Sequence, residues 1–453
     1  MAEVFHHEGN RITSLSFSCY PLPPDHYPLA KPLTSLLLRK PVLGWALFDW
    51  ANSAFATTVM AGFFPVFFKQ FWSIGTEPTL STFRLGMANG AASFVLAVLA
   101  PLLGAIADRG SRRLQFLFAF TALGAISTAG LYLVGQGQWQ WAVLLFVGGS
   151  LGFWGGLIFY DSLLLDVAPR DKFDLVSGYG YGLGYLGGGL LFAVNVWMTL
   201  QPKVFGLPNA AMAVRVSFLM VAVWWALFAV PLFLWVREEP KPRTEGARQA
   251  VAQGLRELRR TFGEIRAQRS LLFFLLAYWM YIDGVNTIQK MAVDYGLALG
   301  FQTSSLITAL LMVQFIGFPA AIAFGWLANR TSTLAGIFIG IAVYAGVTIY
   351  AAYMTSEREF YAMAVAIGLV QGGVQSLSRS YFGSLIPQDR PAEFFGFYNM
   401  MGKFASVLGP LLMGITALLT GSSRISIVSL VTLFIAGALL LVVAARHRMP
   451  AAR

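Results

Sequence analysis

Charge is scarce in this chain. Asp, Glu, Lys and Arg together make up only 12% of its 453 residues, whereas about 25% is usual for soluble globular proteins. Apolar residues make up 57%, and the mean hydropathy is +0.65. A composition this apolar excludes a water-soluble fold and indicates a helical protein that crosses a membrane many times.

Cysteine and histidine are almost missing as well. The single cysteine, Cys19, lies in the polar N-terminal segment, which excludes a disulfide framework, an iron–sulfur site and a cysteine-ligated zinc site. No histidine falls inside an apolar segment, so intramembrane haem, histidine-bound metal and histidine acid–base chemistry are excluded; the four are His6, His7, His26 and His447. We therefore predict a protein that is not an enzyme and has no metal or cofactor.

Nucleotide-binding motifs are also missing. The glycine-rich run GYGYGLGYLGGGL at 178–190 is neither preceded by a predicted strand nor followed by Lys-Ser/Thr, as a phosphate-binding loop would require. Small residues allow transmembrane helices to approach closely. The run therefore predicts helix packing, and the sequence gives no support to ATP-driven transport.

Twelve apolar runs are present, each close to the 20 or so residues that a membrane span needs. We number them spans 1 to 12, at about 42–70, 84–107, 114–134, 140–165, 177–198, 214–236, 269–296, 304–328, 333–353, 360–385, 395–419 and 426–446. One long polar interruption separates six spans from six. The predicted organisation is a mobile cytoplasmic tail at 1–41, an N-terminal bundle at 42–236, a basic linker helix on the membrane surface at 237–268, a C-terminal bundle at 269–446 and a cytoplasmic tail at 447–453.

Basic residues beside the spans predict the orientation, because they favour the cytoplasmic side. If the N-terminus is cytoplasmic, the connections on that side carry most of them: Arg109, Arg112, Arg113, Arg170, Lys172, the nine basic residues from Arg237 to Arg269, Arg330 and Arg390. The net charge of +11 is therefore a topology signal. We expect the lipid bilayer and no nucleic acid as a partner, no obligate protein partner, and residence in a bacterial inner membrane with both termini cytoplasmic.

The two groups of six spans repeat one another. In span 1, Trp45, Asp49, Asn52 and Ser53 have the same spacing as Trp279, Asp283, Asn286 and Thr287 in span 7. Span 2 ends in GAIADR and span 8 in GWLANR, and spans 4 and 10 both lead into a Pro-x-Asp-basic sequence. A direct repeat of six crossings keeps both halves parallel. We therefore predict an all-α membrane protein of the major facilitator fold, with 12 transmembrane helices in two parallel six-helix bundles.

Particular segments add a family resemblance. The sequence GAIADRGSRR at the end of span 2 resembles the Gly-x-x-x-Asp-Arg-x-Gly-Arg-Arg signature of the major facilitator superfamily. The segments WALFDWANSAF, FYDSLLLDVAP, IDGVNTI, QGGVQSLSRSYFGSLIP and EFFGFYNMMGKFASVLGPLLMG resemble those of the fungal vacuolar amino-acid effluxer (autophagy-related) family and its bacterial relatives, over about 42–445. The resemblance implies a transporter. Its fungal members are associated with moving amino acids out of the vacuole, whereas the bacterial relatives largely lack an assigned substrate.

Charges inside the spans are functional candidates, because each costs at least about 2.5–3.5 kcal/mol on insertion scales. Spans 1, 4, 7 and 10 line the central cavity in the resembled architecture, and each carries one. The candidates for substrate binding or coupling are Asp49, Asn52, Asp161, Asp283, Asn286, Gln375, Arg379 and Lys403. Asp49 and Asp283 have a second interpretation as polar groups that only pack helices.

Asp161 and Arg379 occupy equivalent positions of the repeat, 218 residues apart. We hypothesise that they either pair to close the cytoplasmic gate or bind opposite ends of a zwitterion. The alternative is that each is satisfied inside its own half, Asp161 by the basic residues of the loop between spans 2 and 3 and Arg379 by a neighbour on span 11.

The signature at the end of span 2 is predicted to form the gate rather than to bind substrate. Gly104 allows a close helix approach, and Asp108 is expected to meet the positive N-terminal end of span 11. The predicted gating residues are Gly104, Asp108, Arg109, Arg112 and Arg113.

The predicted function is secondary transport of a small solute by alternating access, with an amino acid or another zwitterion as the leading substrate. Carboxylates in the spans make proton coupling plausible. Two alternatives stay open: transport of peptides, drug-like compounds or lipid precursors, for which Phe- and Met-rich spans would supply an adaptable surface, and a non-transporting sensor on a transporter fold.

Overall fold

The computed structural model describes residues 33–109, 111–238, 247–405 and 407–447, and this part of the chain is helical without strands. Eleven helical segments in it are long and apolar enough to cross a membrane, and the 32-residue helix Pro78–Arg109 supplies the twelfth crossing. Residues 1–32 and 448–453, which make up most of the two predicted tails, lie outside the described part.

The N-terminal half contains spans 1 to 6. Span 1 is helical from Lys40 to Trp72, with π-helical geometry over Phe55–Phe63 and Phe68–Trp72. Spans 2 to 6 are Pro78–Arg109, Arg113–Gly130, Trp139–Ser162, Phe173–Leu200 and Ala210–Trp235. Short helical turns at Leu33–Leu37, Leu131–Leu133, Leu164–Val167, Arg170–Lys172 and Pro202–Phe205 complete this half.

The C-terminal half contains spans 7 to 12. Spans 7 to 10 are Arg269–Ala298, Thr303–Arg330, Thr333–Tyr353 and Glu357–Leu385. Spans 11 and 12 are each divided in two, into Pro391–Phe404 with Leu408–Thr420 and Ser423–Val428 with Val431–Arg446. The sequence predicted each of these as one uninterrupted span, so both breaks are new.

Each half has its own apolar core. Buried side chains from spans 1 to 6 form one cluster and those from spans 7 to 12 another, as expected for the two parallel six-helix bundles of the major facilitator fold. Span 5 packs on spans 8 and 10, and span 2 packs on span 11. These pairs bring the two halves together.

Small residues set the distance between the halves. A Cβ atom on Gly178 of span 5 would lie 2.6 Å from the carbonyl oxygen of Ala321 in span 8, and one on Gly104 would collide with the carbonyl oxygen of Ala392. Backbone therefore lies against backbone at both contacts. The glycine-rich run of span 5 is a packing surface, as predicted.

The linker forms a helix over Ala247–Ala267 that contacts spans 2, 7 and 11. We call the end of the bundle that carries this helix the linker side. The connections at 109–113, 163–172, 331–332 and 386–390 lie at the same end, as the alternation of the spans requires.

Candidate functional site

Arg379 lies at the interface between the halves and is only 1% exposed. Its Nη1 atom is 3.2 Å from Oδ1 of Asp161 and 3.5 Å from Oδ2 of Asp49. Since both carboxylates belong to the N-terminal half and Arg379 to the C-terminal half, the ion pairs hold the two halves together. The alternative in which Asp161 and Arg379 are each satisfied inside their own half is wrong.

Span 5 satisfies the remaining nitrogens of this guanidinium. Nε donates to Oγ of Ser177 at 2.9 Å, and Nη2 donates to the carbonyl oxygen of the same residue at 3.1 Å. The Ser177 hydroxyl in turn donates to the carbonyl oxygen of Ser376 at 2.7 Å. A buried charge is tolerated only when it is paired and hydrogen-bonded, and Arg379 meets both conditions.

Three aromatic rings surround the guanidinium. Its carbon lies 4.7 Å from the ring centroid of Trp45, 5.4 Å from that of Tyr160 and 4.4 Å from that of Tyr181. All three distances are within the range of a cation–π interaction, which is stronger in a desolvated site. Gly180 makes room for this arrangement, because a Cβ there would lie 2.8 Å from the Trp45 ring.

The two carboxylates have further partners. The hydroxyl of Tyr160 donates to Oδ2 of Asp49 at 2.7 Å, and Nδ2 of Asn399 in span 11 donates to Oδ2 of Asp161 at 3.1 Å. We call this group the central charge cluster: Asp49, Tyr160, Asp161, Ser177, Arg379 and Asn399. It joins spans 1, 4, 5, 10 and 11, and it pairs one permanent cation with two carboxyl groups.

The cluster lies closer to the linker side than to the centre of the bundle. Arg379 is six residues before the end of its helix at Leu385, which is about 9 Å at 1.5 Å per residue. The midplane of a hydrocarbon layer about 30 Å thick is about 15 Å from each side. This depth suits a contact that closes one end of a central pathway.

Asp283 and Asn286 have a different environment from Asp49. The two oxygens of Asp283 accept the backbone N–H groups of Leu408 and Gly409 at 3.0 and 2.8 Å, and Nδ2 of Asn286 donates to the carbonyl oxygen of Ala405 at 2.7 Å. Both side chains therefore hold the break in span 11 in place. The structure does not bring them into the central charge cluster, and their contacts are those of helix packing.

Asn52 and Gln375 are also outside the cluster. Asn52 is buried, and its amide nitrogen has no hydrogen-bond partner among the described residues. Gln375 accepts a hydrogen bond from the Tyr185 hydroxyl at 3.3 Å, which links spans 5 and 10.

Lys403 lies near another basic residue, Lys290 of span 7, whose charge acts on it. Its ammonium lies over the ring of Trp154 in span 4, and no carboxylate of the described residues is within 4.0 Å of it. Lys403 is twelve residues into span 11, which is about 18 Å at helical rise and close to the midplane. It is one turn beyond Asn399, so a basic side chain with no carboxylate at ion-pair distance in the described part of the chain lies next to the cluster.

The expected contact of Asp108 is confirmed. Its Oδ2 atom accepts the backbone N–H of Glu393 in the first turn of span 11 at 2.8 Å. Gly104 makes the close approach predicted for it. Arg113 forms a two-pronged ion pair with Asp166 at 2.7 and 2.9 Å, so it ties span 3 to the helical turn after span 4 within one half.

The two remaining gating candidates, Arg109 and Arg112, have different environments. Arg109 makes a two-pronged ion pair with Glu257 of the linker helix. Arg112 is exposed. On the C-terminal side of the same helix, Nη2 of Arg390 is 2.7 Å from Oε2 of Glu264. The linker helix is therefore bonded to both halves.

Several functional contacts were missed by sequence reasoning. Ser177 is one serine in a glycine-rich span, and nothing in its spacing marks it. Glu257 and Glu264 sit in a charged surface helix, where acidic residues are ordinary. Asn399 gave a signal, since it lies one turn before Lys403 on span 11, and Tyr160 adjoins Asp161.

Comparison with known proteins gives a consistent result. The family described as vacuole effluxer Atg22 like matches residues 38–172 and 166–452. A Bacillus subtilis protein described as the uncharacterized MFS-type transporter YxiO is 39% identical over 88% of this chain and 93% of its own length. Autophagy-related protein 22 of Yarrowia lipolytica is 27% identical over 53% of this chain and 45% of its own length.

Solved structures show the same fold. The human organic anion transporter MFSD10 aligns with a TM-score of 0.67 at 15% identity, covering 89% of this chain and 99% of that one. A bacterial homologue of the iron transporter ferroportin, in an outward-facing state, aligns with a TM-score of 0.62 at 13% identity, covering 90% and 98%. At these identities the likeness concerns the fold alone.

Proposed function

The chain belongs to the vacuole effluxer Atg22-like family of major facilitator transporters, and from that premise we propose that it moves an amino acid or another small zwitterion across the membrane by alternating access. The observation that carries the proposal is the pair of ion pairs between Arg379 and the carboxylates of Asp49 and Asp161. These bonds link the two bodies that have to rock against each other in this fold.

In the proposed cycle, the central charge cluster is the gate. With the linker side closed, Arg379 is held by two carboxylates, Ser177 and three aromatic rings. Opening the linker side pulls the C-terminal half away and exposes these charges to water. The depth of the cluster favours this gate role over the other role considered for Asp161 and Arg379, direct binding of both ends of the substrate.

We assign the substrate carboxylate to Lys403. An ammonium near the midplane with no carboxylate within ion-pair distance in the described residues is suited to bind an anionic group. Asn399, one turn before Lys403 on the same helix, donates to Asp161, so a negative and a positive group lie near each other along span 11. The Trp154 ring supplies an apolar wall, and such a mixture suits an amino acid.

The charge count of the cluster supports proton coupling. Two carboxyl groups share one guanidinium, so one proton can bind without leaving Arg379 unpaired. A proton on Asp49 or Asp161 would weaken the ion pairs across the interface. Proton uptake and release would then favour different ends of the pathway.

We also propose that the linker side faces the cytoplasm of a bacterial cell, with the protein in the inner membrane. The linker helix and the connections on that side carry most of the basic residues, as expected for cytoplasmic loops. On this orientation both termini are cytoplasmic.

The test is uptake of labelled amino acids into proteoliposomes, with and without a pH gradient. We expect accumulation that follows the gradient. Lys403→Gln should raise the KM for the substrate at least tenfold, and Asp161→Asn should abolish the dependence on the gradient. Arg330→Gln is the matched control for removing a cation, because Arg330 is exposed and, among the described residues, stacks on Trp326 without an ion pair.

The outcomes separate the alternatives. Uptake with an unchanged KM in Lys403→Gln would remove the carboxylate assignment. Folded protein that moves no amino acid would redirect the search to peptides, drug-like compounds and lipid precursors. Tight binding of a ligand without flux would indicate a sensor.

A further inference from the structure

Glu393 is a buried acid that the proposed function does not use. It lies in the first turn of span 11 and is 1% exposed. Its backbone N–H donates to Asp108, but neither oxygen of its side chain accepts a hydrogen bond of good geometry from the described residues, although the Thr261 hydroxyl lies close enough to act on it. A buried ionised carboxylate normally has such partners, because burial without them costs several kcal/mol.

The nearest cation does not neutralise Glu393 well. Nη1 of Arg390 is 3.9 Å from Oε2 of Glu393, while the same guanidinium donates to Oε2 of Glu264 at 2.7 Å and to the hydroxyl of Thr261 at 3.3 Å. Arg390 is therefore directed at the linker helix. Glu393 is left beneath this contact, without a close ion pair.

The other charged groups around Glu393 come from three elements. Span 2 contributes Asp108 and Arg109, the linker helix contributes Glu257 and Glu264, and the residue before span 11 contributes Arg390. Arg109 is bonded to Glu257. The surrounding acids are therefore at least as numerous as the bases, and a further negative charge at Glu393 is unfavourable.

The burial of Glu393 depends on the linker side being closed. Its walls are span 2 of one half, span 11 of the other and the linker helix that bonds to both. Gly104 allows Ala392, the residue before Glu393, to approach span 2 at backbone distance. Separation of the halves on this side would bring water to the carboxyl group.

We propose that Glu393 is a proton-binding site that takes up one proton when the linker side closes and releases it when that side opens. The protonated carboxyl group fits the buried, poorly bonded setting of the closed state. The ionised group fits the hydrated setting of the open state. Acid on the linker side therefore favours closure. This inference goes beyond the proposed function, because it holds whatever the substrate is.

One linked proton changes the ratio of closed to open molecules by up to about tenfold per pH unit. The test uses the full-length chain with Cys19→Ser and spin labels at Asp171→Cys and Arg330→Cys, two exposed linker-side positions in different halves. Distances between the labels are recorded from about pH 5 to about pH 8. We expect the short distance of the closed state to gain population as the pH falls.

Glu393→Gln imitates the protonated acid and should keep the short distance over the whole range. Glu264→Gln is the control. The Glu264–Arg390 ion pair supports closure at high pH and is lost on acidification, so its removal should leave the wild-type direction intact. A Glu393→Gln protein with the wild-type pH response would overturn the proposal.

A second measurement covers the case in which Glu393→Gln does not fold. Infrared spectra of the unmutated protein labelled with 13C-glutamate should show the carbonyl stretch of a protonated glutamate near neutral pH. Glu393→Asp keeps a carboxyl group but should remove this isotope-shifted band. Its absence from the unmutated protein would show that Glu393 is ionised and would refute the site.

Discussion

The two halves share one repeated sequence pattern, but they carry opposite charges at one pair of equivalent positions. Asp161 and Arg379, 218 residues apart, carry opposite charges and meet across the interface at 3.2 Å. If both positions carried the same charged residue, two like charges would face each other across the pseudo-twofold axis. Divergence of the two copies therefore created an attraction that a symmetric duplication would lack.

Asp49 and Asp283 are the converse case. They have kept the same residue and the same sequence neighbours, yet Asp49 points into the interface and Asp283 caps the second part of span 11 inside its own half. The residue type is thus retained at Asp49 and Asp283, whose contacts differ, and lost at Asp161 and Arg379, which meet across the interface.

The largest expected effect comes from breaking the ion pair between Asp161 and Arg379. Arg379→Ala leaves two carboxylates buried without their cation, and loss of one partner of a buried pair costs about 3–5 kcal/mol. We expect a strongly lowered melting temperature in detergent and no measurable uptake. The double variant Asp161→Asn with Arg379→Gln should recover much of the stability but not the transport. Equal stability of Arg379→Ala and the wild type would contradict the ion-pair account.

Substitutions of the two equivalent aspartates, Asp49 and Asp283, should affect stability and transport to different extents. Asp283→Asn loses part of a two-pronged cap on span 11 and should cost about 1–2 kcal/mol of stability, with uptake per folded molecule retained. Asp49→Asn should lose gradient-driven uptake with a smaller loss of stability. Melting curves and uptake normalised to folded protein distinguish them. If both variants behave alike, the two halves use these residues in the same way.

An acid at the equivalent position should favour closure in the first copy of the signature at the end of span 2 but not in the second copy at the end of span 8. Asp108→Asn weakens a contact with a helix N-terminus worth about 0.3–2 kcal/mol, so the linker side should open more readily. In the second copy the equivalent position is Asn329, next to Gly325, whose Cβ would lie 2.5 Å from the carbonyl oxygen of Asp174. Asn329→Asp adds an acid one turn after this contact between Gly325 and Asp174 and should not strengthen closure. The spin-label distances give the measurement, and greater closure in Asn329→Asp would refute the asymmetry.

The smallest effect concerns the linker helix. Burial raises the pKa of Glu264, but its hydrogen bonds and charge contacts with Arg390 and Arg260 outweigh burial and leave the pKa below the usual value. This pair is thus stabilising above the ordinary glutamate pKa, and its contribution disappears as the pH falls through the lowered value. Both partners are partly exposed, so Glu264→Gln should cost less than about 1 kcal/mol. Melting temperatures of variant and wild type should converge in acid.

Sequence reasoning reached the fold and part of the site. Span number, the repeat and the major facilitator architecture follow from apolar runs and from motifs that recur in order. The pairing of Asp161 with Arg379 was accessible because the repeat assigns them equivalent positions on helices that face each other.

The rest depends on geometry that no periodicity records. The role of Asp283 requires the break in span 11, and there the sequence shows only an apolar run containing Gly409 and Pro410. Ser177 becomes a ligand of Arg379 only because two helices pack at a particular depth. Glu393 resembles an ordinary acid in the first turn of a helix until its surroundings are known.

The backbone contacts at Gly104 and Gly178 have a kinetic consequence. Interdigitated side chains would have to change rotamer one after another before the halves could part, and each change would add to the activation barrier. Where backbone packs directly against backbone, the two halves can separate as rigid bodies. The activation barrier then depends mainly on the few polar bonds that cross the interface between the halves. We therefore expect opening of the linker side to be a single concerted step on the microsecond-to-millisecond timescale of domain motions, limited by the release of Arg379.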